Sequence, residues 1–351
     1  MKSFEYAAPQ NLKDATALLE DTWGKTEILA SGTDLVTSLK QEITAPNRVV
    51  SLKNISEIKG IHSEKGGVRI GAMTTLGEVA AHAEVQQHFP ALVTAIKGIG
   101  SPQILAAGTV GGDLCQRPRC WYFRNGFGLF GKDGGTSLVP GGENRYHAIF
   151  GNDGPALFVS ASSIGPVLMA LDATVTATGP KGKTRKIDAA SFFYTPKNEN
   201  ERETVLKPNE ILTEIFIPMK GLKNAAYEVR HRHGLDWPYV TAAVAFQLKN
   251  GSASDARVVL GHVAPVPWPA PKAGKVLTGA KIDATSAAAC GEAAAQGAKP
   301  LSGNGYKVQL VKTAVKRAIL AASVNKNGYK LRRFPSRSPD VTMHACNNST
   351  I

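Results

Sequence analysis

The sequence predicts an α+β protein in two unequal parts, and three observations carry that reading. Residues 1–60 read as two small β/α units, and from about 61 to 218 apolar strand and helix patterns continue. Near Met219–Lys223 the character changes to strands alternating in the manner of an antiparallel sheet, followed by two alanine-rich helices. The division expected is one domain over residues 1–220, with subdomains over about 1–60 and 61–220, and a second over 221–323. Residues 324–351 are polar, proline-containing and unpatterned, so a disordered tail is expected there.

Taken in order, Lys13–Thr22 has a helical pattern, Thr26–Ala30 reads as a strand, Asp34–Glu42 as a helix and Arg48–Leu52 as a strand. Gly66–Ile70 reads as a strand. Thr75 with Glu78 makes a capping box for a helix expected to run through Glu84, and Ala91–Ile96 is a second helix. Arg124–Asn152 is polar and glycine-rich, and is expected to be too loose to contribute core. Pro166–Thr178 returns to helix and strand, Lys181–Gly182 looks like a hairpin tip, and Leu212–Pro218 is a closing strand. Beyond it come strands at Tyr227–Arg230, Val240–Leu248 and Ala256–Val263, then helices at Ala284–Gln296 and Lys307–Ala322.

The 351 residues carry 43% hydrophobic and 20% charged residues, ordinary for a globular chain with a sizeable core. No run approaches the ~20 apolar residues of a membrane span. The first residues, MKSFEYAAPQ, hold no apolar signal core, so a cytoplasmic location is expected, with export possible as passenger of a partner that carries a signal. Lysine and arginine number 41 against 28 acidic residues, a net charge of +13. The basic knots at Lys181–Lys186, Arg230–His233 and Lys330–Arg333 are not interleaved with aromatics, which points away from nucleic acid and toward a solvated surface or an acidic partner subunit.

Two glycine stretches hold the chemistry: ASGTDL at Ala30–Leu35 and GSPQILAAGTVGGDL at Gly100–Leu114. Each follows an apolar run and carries Gly-Thr where backbone must turn tightly. Backbone N–H groups in such a loop, at the start of a helix, make an anion site. Neither matches GxGxxG or GxxxxGK[ST] in spacing. Two such loops in one domain suggest a ligand with two phosphates held from two sides. A bulkier residue at Gly32 or Gly111 is expected to occupy ligand space.

In this order and separation, the pair resembles the FAD-binding subunit of the molybdenum hydroxylases, the xanthine dehydrogenase and aldehyde oxidoreductase family. The resemblance covers about Met1 to Ala322. It is nearest to the bacterial branch, as in the periplasmic aldehyde oxidoreductase, whose FAD subunit carries the stretch written here CQRPRCWYFR (Cys115–Arg124). Further matching pieces are GENRYHAIFG (Gly142–Gly151), EILTEIFIP (Glu210–Pro218), DWPYVTAAVAF (Asp236–Phe246), HVAPVPWPA (His262–Ala270) and NGYKVQLV (Asn304–Val311).

The resemblance implies a two-subdomain FAD-binding fold of the vanillyl-alcohol-oxidase (PCMH-like) class followed by a C-terminal α+β domain. It implies that Leu29, Ala30, Ser31, Gly32, Thr33, Asp34 and Leu35 cradle the pyrophosphate, with Ser31 in place of the commoner glycine. For Asp34, a helix N-cap and a ligand role stand equal. In the second loop Gly108, Thr109, Gly111 and Gly112 match the family pattern. Asp113 stands where asparagine is usual and would repel phosphates if it faced them, so it either faces backbone donors or lowers FAD affinity. Leu212 aligns with the apolar residue near the isoalloxazine ring and reads equally as a core strand leucine.

No catalytic residue is expected in this chain, which has no nucleophile elbow, metalloprotease motif or paired catalytic carboxylates. His231 and His233 form an HxH without a nearby ligating partner, and His147 lies in a loop expected to fold near the flavin. The related branch carries a [4Fe–4S] cluster after the second loop. Such clusters need four thiolates, and here Cys120 matches the first ligand with only Cys115 near it, since Cys290 and Cys346 lie far off. No [4Fe–4S] cluster is therefore expected, and Cys120 is read as a packed thiol. Molybdopterin and [2Fe–2S] clusters would sit on partner chains, a large and a small subunit. The function implied is electron transfer from iron–sulfur clusters through FAD to an external acceptor. The alternatives are a stand-alone FAD oxidase of the same fold class and a basic binding protein without redox role.

Overall fold

The computed structural model describes residues 1–232 and 236–323. The expected tail, His233, Cys346 and the basic knot at Lys330–Arg333 lie outside the described residues.

The N-terminal unit is a three-stranded parallel sheet in the order Glu5–Ala7, Arg48–Ser51, Thr26–Leu29. Parallel neighbours need crossovers, and the helices Leu12–Ala17 and Leu35–Lys40 lie in them. Asn11 caps the first by accepting the Asp14 N–H at 2.9 Å. Ala15, Val50, Leu52 and Ile55 form its small core.

The second unit is a five-stranded antiparallel sheet in the order Ile61–Glu64, Gly67–Gly71, Ile211–Pro218, Thr174–Thr178, Thr184–Asp188. Helices Leu76–Ala81, Pro90–Gly98 and Gly165–Ala170 contribute to the same core. The Thr75–Glu78 capping box is present, but the helix stops at Ala81. His82 is extended (ψ 128°), and a separate helix, Ala83–His88, follows. Lys181 and Gly182 form the hairpin tip, both at positive φ.

Arg124–Asn152 departs from expectation. Leu129 and Phe130 pack with Phe123 and Phe158 in a core of their own, while Ile149 and Phe150 are buried in the C-terminal core. The glycines between them dilute the apolar signal without removing the anchors.

The C-terminal sheet is antiparallel, in the order Lys223–Val229, Val240–Lys249, Ser252–Gly261, Trp268–Pro269. Side chains of a strand alternate between faces, and in Val240–Lys249 both faces are buried. Ala242, Val244 and Phe246 meet Val311, Val315 and Ile319 in the C-terminal core. Ala243 and Ala245 belong to the core of the five-stranded unit. Asn224 ties the two together, accepting the Ala91 N–H at 3.0 Å and donating to the His88 carbonyl at 2.9 Å. No helix among the described residues is long and apolar enough to cross a membrane.

Candidate functional site: a cleft with one open loop and one closed loop

Between the first two sheets lies a cavity of about 360 Å³, within the ~300–1,000 Å³ of ordinary ligand pockets. Ala30, Ser31, Gly32, Thr33, Asp34 and Leu35 border it from one side, and Thr109, Gly111, Gly112 and Leu212 from the other. Both sequence loops therefore reach one cleft. Leu212 borders the cleft and also belongs to the core, where the strand pairing shifts register between Leu212 and Glu214.

The two loops differ in their donors. The N–H groups of Ser31, Gly32, Thr33 and Asp34 have no acceptor among the described residues. Gly32 sits at φ +86°, the turn that puts these groups in one loop. Such a row of bare N–H groups is an anion cradle. In the second loop the corresponding groups are already taken. Val110 N–H donates to Thr74 O at 3.1 Å, Gly111 N–H to Ala72 O at 2.9 Å and Gly112 N–H to Thr109 Oγ1 at 3.1 Å. The expected turn is in fact the start of a helix, Val110–Cys115, with Thr109 as N-cap. Its glycines serve close packing: a Cβ on Gly111 would lie 2.9 Å from Ala72 Cβ. A Cβ on Gly32 would lie 2.8 Å from Val36 Cγ2 and 3.3 Å from Leu29 Cδ1. Both added side chains meet protein first, which corrects the expectation that they would fill ligand space.

Three expected residues do not border the cavity. Leu29 ends its strand and packs under Gly32. Gly108 closes the helix Pro102–Ala107, and its carbonyl accepts the Leu76 N–H at 2.8 Å. Asp113 is buried and turned away, accepting from Ser162 Oγ at 2.6 Å, Ile164 N–H at 3.2 Å and Ser163 N–H at 3.3 Å. Of its two readings, the one facing backbone donors holds. Burial raises its pKa above the usual aspartate value, against the lowering by these hydrogen bonds.

Asp34 precedes the helix Leu35–Lys40 but makes no side-chain cap. Its carboxylate accepts the Arg117 N–H at 2.8 Å and pairs with Arg119 and Arg124 at 2.8 and 2.9 Å. Its role is to hold the basic stretch Gln116–Arg124 against the first loop. That stretch and two distant residues supply what the sequence reading missed. Arg117 borders the cleft and pairs with Glu203 at 2.9 Å. Arg202 borders it too, stacked on Trp23, with a 3.8 Å approach to Glu27 as its ion pair. Burial, and then the neighbouring Arg117, pull the Arg202 pKa down to about 10. Arg117 lay inside a quoted motif, whereas Trp23 and Arg202 carry no local signal.

Cys115 is exposed and borders the cleft, and the protein packed around it pushes its thiol up to about 12. Cys120 and His147 lie elsewhere. They border a second cavity of about 270 Å³, with Cys120 Sγ 3.2 Å from His147 Nε2. His147 is therefore not beside the cleft as expected. Among the described residues no three His, Cys, Asp or Glu side chains stand where they could hold a metal ion.

A row of N–H groups without acceptors among the described residues, in a cleft that two arginines also border, suits a ligand with a diphosphate. The model of the FAD-binding domain in molybdopterin dehydrogenases matches residues 2–220. The chain belongs to the FAD-binding subunits of the molybdenum hydroxylases. The model of the CO dehydrogenase flavoprotein C-terminal domain matches residues 225–322. The aldehyde oxidoreductase FAD-binding subunit PaoB of Escherichia coli K12 is 31% identical over 76% of this chain and 84% of its own. The carbon monoxide dehydrogenase medium chain of Hydrogenophaga pseudoflava is 29% identical over 91% and 96%. Among solved structures, carbon monoxide dehydrogenase from Hydrogenophaga pseudoflava superimposes with a TM-score of 0.72 at 27% identity, covering 92% of this chain and 97% of that one. Quinoline 2-oxidoreductase from Pseudomonas putida 86 gives 0.71 at 25%, covering 92% and 98%.

Proposed function

We propose that this flavoprotein subunit holds FAD with its diphosphate on the Ser31–Asp34 N–H groups and carries electrons from a [2Fe–2S] partner to an external acceptor. The observation that supports this is the bare N–H row in a cleft that Arg117 and Arg202 also border. Bound there, FAD supplies the redox chemistry, and the chain supplies binding and orientation. Ser31–Asp34 present donors, Thr33 adds a hydroxyl, and Arg117 and Arg202 offset phosphate charge. Leu212 and Ile211 offer the apolar floor of the cleft. The second loop sets the wall's position through Thr109, Gly111 and Gly112. We assign residues 1–220 to FAD binding and 221–323 to the C-terminal domain.

Molybdopterin and the [2Fe–2S] clusters belong, on this reading, to a large and a small partner, because four cysteines are too few for them here. We infer a cytoplasmic assembly, with export as the passenger of a signal-bearing partner as the alternative. Co-expression with candidate partners and size-exclusion chromatography test the whole. A yellow chain with about one non-covalent FAD, co-eluting with a large and a small chain, is expected. A yellow monomer active alone would identify a stand-alone oxidase, and a colourless chain would end the FAD assignment.

A further inference from the structure

Residues 193–210 join the helix Ala189–Phe192 to the strand Ile211–Pro218 without a helix or strand of their own, and with one isolated bridge, between Phe193 and Thr204. A connection beyond about 12–15 residues without regular structure is uncommon in a compact unit and is usually functional. This one folds back on itself. Tyr194 N–H donates to the Glu203 carbonyl and Val205 N–H to the Phe192 carbonyl, both at 2.9 Å, so residues 194–204 form a flap with a pinned root. Phe192 is buried in the core of the five-stranded unit, and Arg185 holds the Val205 carbonyl at 2.7 Å. The tip, residues 197–200, is exposed.

The flap is also a wall of the FAD cleft, which Glu199, Arg202, Glu203 and Thr204 border. From the second unit it reaches three other places. Arg202 lies over the Trp23 ring of the N-terminal unit, 5.1 Å from its centroid. Glu203 pairs with Arg117 of the basic stretch at 2.9 Å. Glu199 accepts the Leu129 N–H at 2.7 Å and the Phe130 N–H at 3.2 Å. Trp23, Arg117 and Leu129 themselves border the cleft, so the flap ties together walls from separate parts of the chain.

The third of these contacts is shaped as a latch. Gly128 sits at φ +71°, and a Cβ there would stand 3.1 Å from Glu199 Oε1. Successive N–H groups turned onto one carboxylate make a small anion nest. On the receiving side, Leu129 and Phe130 are fixed in the core they share with Phe123 and Phe158. On the giving side, Glu199 is exposed, and water competes for its carboxylate. Segments that open locally are those held by exposed hydrogen bonds rather than buried apolar contacts. Other walls of the cleft stand on regular elements: Glu27 and Ile28 on a sheet strand, Gly111 in the first turn of a helix and Leu212 on a core strand. The flap is the wall suited to move.

We propose that residues 194–204 are a flap that has to release Leu129 and Phe130 before FAD enters or leaves the cleft, with Glu199 as its latch. The proposal rests on the reading of this cleft as the FAD site. Glu199 meets protein N–H groups and not the row offered to the diphosphate. A contact of that kind holds the closed flap equally with and without FAD. It therefore sets both rates of exchange and leaves their ratio alone.

Stopped-flow flavin fluorescence on the purified full chain measures uptake, and dilution of the FAD-loaded chain measures release. Glu199→Ala should speed both by about fivefold or more, with the dissociation constant within about twofold and the melting temperature unchanged. Glu199→Gln, which keeps an acceptor oxygen without the charge, should fall between the parent and Glu199→Ala. Gly128→Ala, whose methyl group crowds the carboxylate from the other side, should speed both rates as well. Unchanged rates in Glu199→Ala overturn the flap. So does faster release alone with affinity falling in proportion, since that would place Glu199 on the ligand. A parent chain that takes up no FAD would remove the FAD reading too, which separates the two failures.

Discussion

The two glycine loops look like a matched pair in sequence and behave differently in the fold. The first leaves four consecutive N–H groups without acceptors among the described residues and reaches that state through one positive φ at Gly32. The second satisfies its own N–H groups on Ala72, Thr74 and Thr109, and uses glycine where a methyl group would strike Ala72. One loop is built to donate and the other to pack. Glycine content is common to both and decides neither; what decides is whether a neighbouring carbonyl is within reach.

The largest expected effect breaks the open loop. Gly32→Val forces a β-branched residue to positive φ, costing about 1–2 kcal/mol, and drives its Cβ against Val36. The N–H row should lose its alignment, with FAD affinity falling at least tenfold. Gly111→Ala should act in the other currency: lower melting temperature, with FAD affinity in the folded fraction changed by less than threefold. Flavin absorbance per chain and thermal melts measure both. Equal loss of affinity in the two variants, at equal stability, would remove the distinction between the loops.

Asp34→Ala comes next. It strands Arg119, Arg124 and the Arg117 N–H around an empty place. Losing one partner of a partly buried charge network costs about 2–3 kcal/mol. Denaturant unfolding should show that loss, together with weaker FAD binding as Arg117 drifts from the cleft. Arg202→Met should weaken FAD binding without a comparable change in stability, since its ion pair is long.

The α+β class and most strands were legible because hydrophobic alternation is local. The capping box at Thr75 was legible for the same reason, while the break at His82 was not, because extended backbone there leaves no mark in composition. Legibility of the site stopped at the same limit. Thr109 and Gly112 are three residues apart, yet the glycines between them read as a turn and hid the N-cap they form. Asp34 and Arg124 are 90 residues apart, and their pairing depends on how the basic stretch folds back. Arg202 on Trp23 is likewise a product of tertiary packing. Asp113 was read correctly as a problem because its charge is local; its solution, three donors from Ser162–Ile164, is not.

Asp113 sharpens the comparison from the closed side. Asp113→Ala leaves three donors unpaired in the interior, a cost of about 2 kcal/mol, and should not touch FAD affinity in the folded fraction. Its pH dependence has an unusual sign. Burial raises the folded pKa above the ordinary 3.8, so the folded state holds the proton more tightly than the unfolded chain. The stability it contributes is full below 3.8 and is lost as pH rises through the folded pKa. Asp113→Asn has no such titration. Wild-type stability relative to that variant should therefore decline as pH rises from about 3.8, and a gap that widens instead would show that the hydrogen bonds outweigh burial.

The smallest effect is expected at Cys120, just beyond the closed loop. Its thiol meets His147 Nε2 at 3.2 Å, and burial pushes its pKa up, so it is held as a neutral packed group. A serine hydroxyl can keep the contact with His147, which leaves a packing change of under about 1 kcal/mol. Cys115 faces the other cavity, and Cys290 lies in the C-terminal core, so neither joins Cys120 around one space. Cluster assembly needs four thiolates. Iron analysis of the purified chain should accordingly find no stoichiometric [4Fe–4S] cluster, and Cys120→Ser should keep its full FAD content. Four irons per chain, lost on that substitution together with a broad visible absorbance, would mean that a partner chain completes a ligand set of which Cys120 is one member.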